Sequence, residues 1–365
     1  MIKSFDEVLE DVTKLGVKMK TDEYHPIGKY QIIDQGQEAV AGYSDLEDGV
    51  FENVPAIVFG DHTRIVKYVD QPFFLGADGV KVLRSRFKDA NYRYLYYALK
   101  SVKIPNTGYN RHFKWLKEAK IYYPNSEEQS KIVSILDGIS SVIEHRQQEL
   151  KKLDALVKAR FVEMFGDPVQ NSIKWVTKSL LEMGYCKNGV NFHSGDSGIE
   201  IHCLGVGDFK DYSVVDGTDY LPTISLSEEP PEESMLQDGD IVFVRSNGNK
   251  ALVGRCLVVY PHNTPTTYSG FCIRYRLTSN EVNTSYLLRV LKADSMRKKM
   301  IGRGANIQNL NQKTLATLNI PIPPMELQEQ FAEFVNQTDK SKVVVQKALD
   351  EAQTLFDSLM QEYFG

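Results

Sequence analysis

Residues 121–166 read IYYPNSEEQSKIVSILDGISSVIEHRQQELKKLDALVKARFVEMFG, and a second version of this stretch occupies residues 320–365. The second version reads IPIPPMELQEQFAEFVNQTDKSKVVVQKALDEAQTLFDSLMQEYFG and aligns without a gap at an offset of 199 residues. Pro124 falls on Pro323, and the Phe-Gly pair at the end of one copy falls on the same pair in the other. A shared period this long indicates an internal duplication of the chain.

Both copies have the pattern of a long helix. Each begins at a proline, which suits a first helical turn, and ends in Phe-Gly, where glycine can take the left-handed conformation that closes helices. Apolar residues recur roughly every 3.5 positions, which is typical of a coiled-coil seam, and the two copies are natural antiparallel partners. Two unrelated amphipathic helices on separate domains are the alternative. The predicted seam consists of Ile132, Leu136, Ile139, Ile143, Leu150, Leu153, Val157, Phe331, Val335, Val345, Leu349, Phe356 and Leu359.

Composition favours a folded, cytoplasmic protein of two or three domains. The chain has 365 residues, of which 42% are hydrophobic and 25% charged. No apolar run approaches the ~20 residues that span a bilayer, and the acidic N-terminus does not resemble a signal peptide. The four cysteines lack the spacing of a zinc site, so we expect reduced and mostly buried thiols at Cys186, Cys203, Cys256 and Cys272.

Charge is segregated along the chain although the total is only −5. Residues 1–59 carry a net charge of −7 and residues 60–124 carry +8. The order repeats, with −10 over residues 167–240 and +10 over residues 241–319. Basic stretches of this size point to an anionic partner such as nucleic acid. The two signs could instead mingle and cancel on one folded surface, since segregation in sequence is not segregation in space.

Between the helices the pattern predicts two globular segments of mixed α and β structure. In both, short strand-like runs precede an amphipathic helix and a polar loop, and the helices 91–99 and 284–293 correspond in their Tyr-Leu and Leu-Lys pairs. We therefore expect an α+β fold in which two mixed α/β domains are separated by two long antiparallel coiled-coil helices, with an approximate internal two-fold axis. The predicted boundaries are 1–123 for the first domain, 124–166 for the central helix, 167–322 for the second domain and 323–365 for the C-terminal helix.

The sequence contains no recognisable catalytic constellation. The Walker phosphate loop, the Gly-x-Ser-x-Gly elbow and the His-Glu-x-x-His metal motif are all missing. An amino-methyltransferase needs a Pro-Pro pair between a polar residue and an aromatic one, and neither Pro-Pro pair here fits. A single Gly-x-Gly at 205–207 is far too weak for a cofactor site. The sequence therefore predicts a binding protein without a metal or cofactor of its own.

The basic segments carry the residue types that read DNA. Arginine and asparagine pair with guanine and adenine edges, while lysine, serine and backbone N–H groups hold phosphates. In each half, one polar loop follows a predicted strand and a second precedes the long helix. Each could equally be a solvated turn or a helix cap. The candidates are His62, Thr63, Arg64, Lys67, Tyr109, Asn110, Arg111 and His112 in the first half, and Arg245, Ser246, Asn247, Asn249, Lys250, Arg255, Arg303, Asn306, Gln308 and Asn309 in the second.

Over essentially its whole length the chain resembles the specificity subunits of Type I restriction–modification enzymes. The resemblance rests on the alternation of two domains with two helices and on the segments 121–129 and 320–328 before each helix. The loops 107–111 and 306–310 and the strand 239–245 are also similar to that family. The first segment lacks the second proline of Pro323-Pro324, a minor departure.

This resemblance implies a division of labour in which the chain directs methylation and restriction without performing either. Each target-recognition domain would read one half of a split double-stranded DNA target, and the helices would set the spacer. Two methyltransferase subunits would bind S-adenosylmethionine, and restriction–translocase subunits would use ATP and Mg²⁺. Two alternatives stay open, namely a DNA methyltransferase or nuclease with an unrecognised motif, and a coiled-coil scaffold that does not bind DNA.

Overall fold

The computed structural model describes residues 1–193, 195, 197–209, 213–301 and 309–365. It is a mixed α/β structure, as predicted, and it divides into two compact units. The first unit contains residues 1–149 and 345–365, and the second contains residues 150–344. Each unit therefore combines one mixed α/β domain with one part of each long helix. Within the described ranges, no helix combines the length and apolar character needed to cross a bilayer.

The first unit contains three small sheets. The largest has the strand order β2-β8-β5-β6, a second has the order β4-β3-β7, and β1 pairs with β9. The strands are β1 (Ile2–Ser4), β2 (Leu9–Asp11), β3 (Tyr30–Ile33), β4 (Gly42–Ser44), β5 (Ala56–Gly60), β6 (Val66–Val69), β7 (Phe73–Leu75), β8 (Val80–Ser85) and β9 (Lys120–Tyr122), and the short helices are α1 (Phe5–Val8), α2 (Tyr92–Lys100) and α3 (Phe113–Lys117).

The second unit repeats this plan. Its sheets have the orders β11-β18-β15-β16-β13, β14-β12-β17 and β10-β19. The strands are β10 (Val176–Ser179), β11 (Gly184–Asn188), β12 (Ile199–Leu204), β13 (Val214–Asp216), β14 (Thr223–Leu226), β15 (Asp240–Val244), β16 (Cys256–Tyr260), β17 (Thr266–Tyr268), β18 (Cys272–Leu277) and β19 (Asn319–Ile322), and the short helices are α5 (Thr284–Lys292), α6 (Asp294–Ile301) and α7 (Gln312–Ala316).

The pairing pattern shows that the duplication extends to the domains. Strand β5 lies between β6 and β8 with antiparallel pairing on both sides, and β15 lies between β16 and β18 in the same way. Strand β3 pairs in parallel with β7, as β12 does with β17. The hydroxyl of Tyr94 on α2 donates to the carbonyl of Tyr122, and the hydroxyl of Tyr286 on α5 donates to the carbonyl of Pro321. These bonds fix α2 and α5 as equivalent helices.

Residues 5–12, in which the apolar side chains Phe5, Val8, Leu9 and Val12 recur at helical spacing, form two elements. A single helical turn, α1, buries Phe5 and Val8, and the chain then extends into β2. Strand β2 pairs antiparallel with β8, with Leu9 opposite Ser85. The ladder bonds to β8 therefore decide the conformation of the second half of this stretch, which its local apolar spacing does not specify.

The long helices are α4 (Ser126–Phe165) and α8 (Met325–Phe364), each of 40 residues. Both begin two residues after the predicted proline, so the proline lies before the first turn. The Pro124 carbonyl accepts a hydrogen bond of 2.9 Å from the Gln129 side chain, and the Pro323 carbonyl accepts one of 2.8 Å from Gln328. Gly166 has a φ of +72°, which matches the predicted left-handed closure of α4.

Burial along both long helices follows the predicted period. None of the seam positions given above is exposed, whereas apolar residues outside the seam, such as Val343 and Val344, are each 69% exposed. In the second unit the two helices run antiparallel. Phe165 contacts Phe331 with ring centroids 5.6 Å apart. About three turns from that contact along each helix, the Lys342 ammonium lies 2.6 Å from the Asp154 carboxylate.

The four cysteines form no disulfide, and most of them are buried, as predicted. Cys203, Cys256 and Cys272 are buried and Cys186 is partly buried. Burial raises the pKa of the Cys256 thiol to about 11, so this group stays neutral and inert near pH 7.

Candidate nucleic-acid interface

In the first unit, the loop after β5 and the loop before α3 lie against each other. We call these segments, residues 60–64 and 106–112, the first loop pair. The backbone N–H of His112 donates to the Asp61 carbonyl at 2.7 Å, and the N–H of Phe113 donates to the Asp61 carboxylate at 2.7 Å. The His62 ring stacks on Tyr109 with centroids 4.6 Å apart and planes 4° apart. Two segments predicted separately thus form one surface.

The outer face of the first loop pair is polar and aromatic. Thr63, Asn110 and Arg111 are exposed, and the Tyr109 side chain is 87% exposed. The Arg111 guanidinium lies 3.3 Å from the Asp78 carboxylate at a position where both groups are in water. Such an exposed pair contributes little to stability, about 0–1 kcal/mol, so the arginine can exchange it for an external anion.

Two of the predicted DNA contacts in this unit are wrong, because their side chains are buried. His112 is fully buried, and its Nδ1 lies 3.0 Å from the Asp61 carbonyl, which can only accept, so Nδ1 carries the proton. Lys67 is 8% exposed and donates to the Glu38 carbonyl at 2.6 Å. Burial lowers the pKa of the Lys67 ammonium, while the Asp34 carboxylate 3.4 Å away opposes that shift. Both residues hold loops together instead.

The exposure of Arg64 lies between that of the exposed residues Thr63 and Arg111 and that of the buried residues His112 and Lys67. The Arg64 backbone adopts a φ of +64°, and its guanidinium donates to the Ile104 carbonyl at 3.3 Å. The side chain is partly buried. It therefore anchors the loop to the segment that follows α2 and offers only part of its surface to a partner.

The second unit has a matching arrangement. We call residues 245–250 with residues 309–310 the second loop pair. The N–H of Leu310 donates to the Arg245 carbonyl at 2.8 Å, and Ser246 pairs with Asn309 as an antiparallel bridge. The Arg245 side chain donates to the Gly270 carbonyl at 3.3 Å. The remaining candidates, Arg303, Asn306 and Gln308, lie outside the described residues.

Local hydrogen bonds shape the loop after β15. The Asn249 side chain accepts from the N–H of Ala251 at 3.0 Å and so caps a short turn of 3-10 helix. The Asn247 side chain accepts from the N–H of Asn249 at 2.8 Å. Because these amide oxygens serve the loop, the side-chain NH₂ groups are the parts left to meet a base or phosphate. Asn249 and Lys250 are exposed, and Arg255 is partly buried.

One aromatic side chain at this surface was missed by the sequence reasoning. Phe271 is 62% exposed, and its carbonyl accepts from the N–H groups of Arg245 and Ser246 at 2.8 and 3.2 Å. Phe271 therefore lies beside the second loop pair, and Tyr109 is the exposed aromatic residue of the first loop pair. The available signal was an aromatic residue directly after Gly270 at the start of a strand. An exposed aromatic with polar neighbours suits stacking on a sugar or base.

The two loop pairs have the same construction. In each, the residue that directly follows the central strand accepts a backbone hydrogen bond from the residue that leads into a short helix. Asp61 accepts from His112 in the first unit, and Arg245 accepts from Leu310 in the second. This geometry defines a class of protein with two similar polar surfaces on a duplicated scaffold.

Comparison with known families identifies the class directly. The model of the Type I restriction modification DNA specificity domain matches residues 6–155 and 211–352, which is most of the chain and covers both halves. This chain belongs to the family of Type I restriction–modification specificity subunits.

Individual relatives are distant. The chain is 28% identical over 258 residues to the Type I restriction enzyme StySPI specificity subunit of Salmonella potsdam, a match that covers 67% of this chain and 54% of that protein. It is 20% identical over 354 residues to the EcoR124I/EcoR124II specificity subunit of Escherichia coli, covering 90% of this chain and 84% of that protein. The match therefore spans about half the length of the Salmonella relative.

The fold is also similar to that of a solved specificity subunit. The crystal structure of the S subunit of a Type I restriction–modification system from M. genitalium aligns over 100% of this chain and 96% of that chain, with a TM-score of 0.58 and 18% identity. At this identity the likeness shows the shared fold alone.

Proposed function

We propose that this chain is the non-catalytic DNA-recognition subunit of a Type I restriction–modification complex and reads a bipartite double-stranded target. The observation that carries the proposal is the duplicated loop pair, placed after the central strand of two topologically equivalent domains. Two different sets of exposed polar residues on one scaffold can read two different half-sites. In this proposal the target-recognition domains are residues 1–123 and 167–322.

The long helices have the features of a spacer and a docking platform. A continuous antiparallel coiled coil along 124–166 and 323–365 would hold the two recognition domains at a fixed separation. Apolar residues outside the seam, including Val343, Val344 and Leu355, are more than half exposed. Exposed apolar residues of this kind suit protein partners. We assign these partners as two methyltransferase subunits that bind S-adenosylmethionine, together with restriction–translocase subunits that use ATP and Mg²⁺.

Methylation mapping tests the proposal. The full chain would be expressed with the methyltransferase subunit of its own locus in a host lacking DNA methylation, and methylated adenines would be mapped across the genome. We expect methylation at a two-part sequence with a fixed spacer, and none with either protein alone. Methyl transfer by this chain alone would support the enzyme alternative. Unchanged methylation when this chain is left out would contradict the assignment.

A further inference from the structure

A cavity of about 460 Å³ opens within the second unit. None of the residues of the second loop pair lines it, although Arg255, another predicted DNA contact, does. Its wall is formed by the last turns of α4, the segment 167–168, the start of β16 and the junction between α5 and α6. This volume lies in the range typical of sites for small organic ligands, about 300–1,000 Å³. The cationic side chains that line it are Lys158, Arg255, Arg289, Lys292 and Arg297.

These cations are close enough to repel one another in a partly buried place. Burial lowers the pKa of Lys292, and repulsion from Arg289 and Lys342 adds to that shift, while attraction by the Asp154 carboxylate opposes it. Burial likewise lowers the pKa of Arg297, with repulsion from Arg255. Like charges gathered away from bulk water are unfavourable unless an opposite charge joins them.

The chain itself supplies little of that opposite charge. Among the described residues, the Arg289 side chain makes no hydrogen bond and no ion pair, and the buried Nε of Arg297 has no hydrogen-bond partner. The Asp154 and Asp339 carboxylates attract Arg289, but both are already ion-paired with Lys342. Lys292 donates to the neutral hydroxyl of Ser213 at 2.7 Å. Two carboxylates, Asp167 and Asp294, also line the cavity. Asp167 already accepts from two N–H groups of its own turn at 2.9 Å.

In the first unit, a carboxylate of the same unit lies against the position equivalent to Arg289 and neutralises a neighbouring arginine. The equivalence of α2 and α5 places Tyr97 where the second unit has Arg289. The Tyr97 hydroxyl donates to the Asp137 carboxylate at 2.5 Å, and Arg93 is ion-paired with the same carboxylate. The duplication aligns Asp137 with the uncharged Asn336. The second unit thus has Arg289 in place of Tyr97 and Ser285 in place of Arg93, and it lacks an acid equivalent to Asp137.

The cavity also has an apolar side. Phe161, Phe209 and Leu291 line it beside the cations. A bare inorganic ion would leave that surface against water, whereas a molecule with an anionic group and a ring would cover both. Arginine and lysine together are the side chains that hold phosphate oxygens most strongly.

We propose that this cavity is a binding site for a small phosphorylated molecule of nucleotide size, with the phosphate held by Arg289, Lys292 and Arg297 and the ring against Phe161 and Phe209. The site is separate from DNA reading and does not rest on it. A nucleotide bound there would join the end of α4 to the α5–α6 junction of the second domain. It would thereby stabilise the second unit according to its concentration.

Calorimetric titration of the full chain with AMP tests the site, with adenosine and inorganic phosphate as partial probes. We expect one AMP bound per chain, weaker phosphate binding and no detectable adenosine binding. Arg289→Gln should weaken AMP binding about tenfold or more, because it removes a charged donor to the phosphate. Lys298→Gln is the matched control, since Lys298 is exposed on α6 and does not line the cavity, and it should bind AMP normally.

Thermal unfolding tests whether Arg289→Gln loses AMP binding only because the variant fails to fold. Without ligand, Arg289→Gln should melt no lower than the wild type, because it removes a partly buried cation that has no partner. With AMP, only the wild type and Lys298→Gln should gain in Tm. Absent AMP binding, or equal binding by Arg289→Gln, would overturn the proposal. Displacement of AMP by a short DNA duplex in one-to-one competition would overturn it in favour of a DNA phosphate.

Discussion

At the residue scale, the glutamine in the first turn of each long helix gives a structural reason for the short segment that the two copies share. Gln328 is fully buried, and its amide donates to the carbonyls of Pro323 and Glu281 at 2.8 and 3.1 Å. Its oxygen accepts from the N–H of Asn283 at 2.8 Å. One side chain thus ties the start of α8 to the segment that leads into α5. Gln129 occupies the same place in the first unit, where it is 4% exposed.

Gln328→Ala should therefore lower the free energy of unfolding of the second unit by about 2–4 kcal/mol, since it removes three hydrogen bonds at a buried to partly buried site. Chemical denaturation followed by circular dichroism measures the change. Glu329→Ala, at the exposed next position, is the control and should stay within about 0.5 kcal/mol of the wild type. An equal effect of the two substitutions would refute this role for Gln328.

Arg245 is the clearest candidate for DNA reading at this scale. Its backbone is fixed from both sides by bonds to Phe271 and Leu310, and its side chain is partly buried. Arg245→Ala should weaken binding of target DNA by the assembled complex by about 1–3 kcal/mol if the guanidinium reads a base. Binding would be measured at several salt concentrations, with Lys340→Ala on the exposed face of α8 as the control. A change in the salt slope with unaltered sequence preference would make Arg245 a phosphate contact.

At the element scale, the aromatic contact between the long helices stabilises the second unit. Phe331 lies with its ring centroid 5.6 Å from those of both Phe161 and Phe165, and all three side chains are buried. Edge-to-face contacts of this kind add to the gain from burying apolar surface. The two long helices therefore contribute side chains to the hydrophobic core of the second unit.

Phe331→Ala should lower the free energy of unfolding by about 3–5 kcal/mol, because it opens a cavity in this cluster. Val343→Ala is the matched control on the same helix, since its side chain is 69% exposed. We expect the control to change stability by less than about 0.5 kcal/mol. Denaturant titration of both variants would decide, and a small loss for Phe331→Ala would show that α4 does not pack there in solution.

At the scale of the whole molecule, the two domains share a scaffold and differ in the side chains that it presents. The exposed residues of the loop pairs differ, with Thr63, Tyr109 and Arg111 in one unit and Asn249 and Lys250, beside Phe271, in the other. The scaffold beneath them has the same strand order around β5 and β15. Different side chains on equivalent strands lead us to expect two different half-sites.

Replacement of residues 167–322 by the equivalent domain of another specificity subunit should therefore change one half of the methylated sequence. The other half and the spacer should stay the same, because residues 1–123 and both long helices are retained. Mapping of methylated adenines gives both halves in one experiment. Changes in both halves would contradict modular recognition.

The sequence by itself determined the duplication, the two long helices and most of the central strands. The strand-like runs at residues 199–204 and 240–245 agree with β12 and β15 to within a residue, because apolar runs and turn residues act over short distances. The helix period also placed every predicted seam residue on a shielded face. Edge strands such as β1 and β10 were not predicted. Three or four residues are too few for a recognisable alternation of apolar and polar side chains, and their partner strands lie over a hundred residues away.

Only the tertiary structure decided which polar residues face solvent. His112 and Lys67 have the composition of DNA contacts, yet hydrogen bonds to Asp61 and Glu38 from distant segments hold them inside. The cavity around Arg289 is likewise invisible in sequence, because its walls come from α4, β16 and the α5–α6 junction. Burial depends on long-range packing. The local sequence around a basic residue therefore does not show whether its side chain lies in a core, in a cavity or in water.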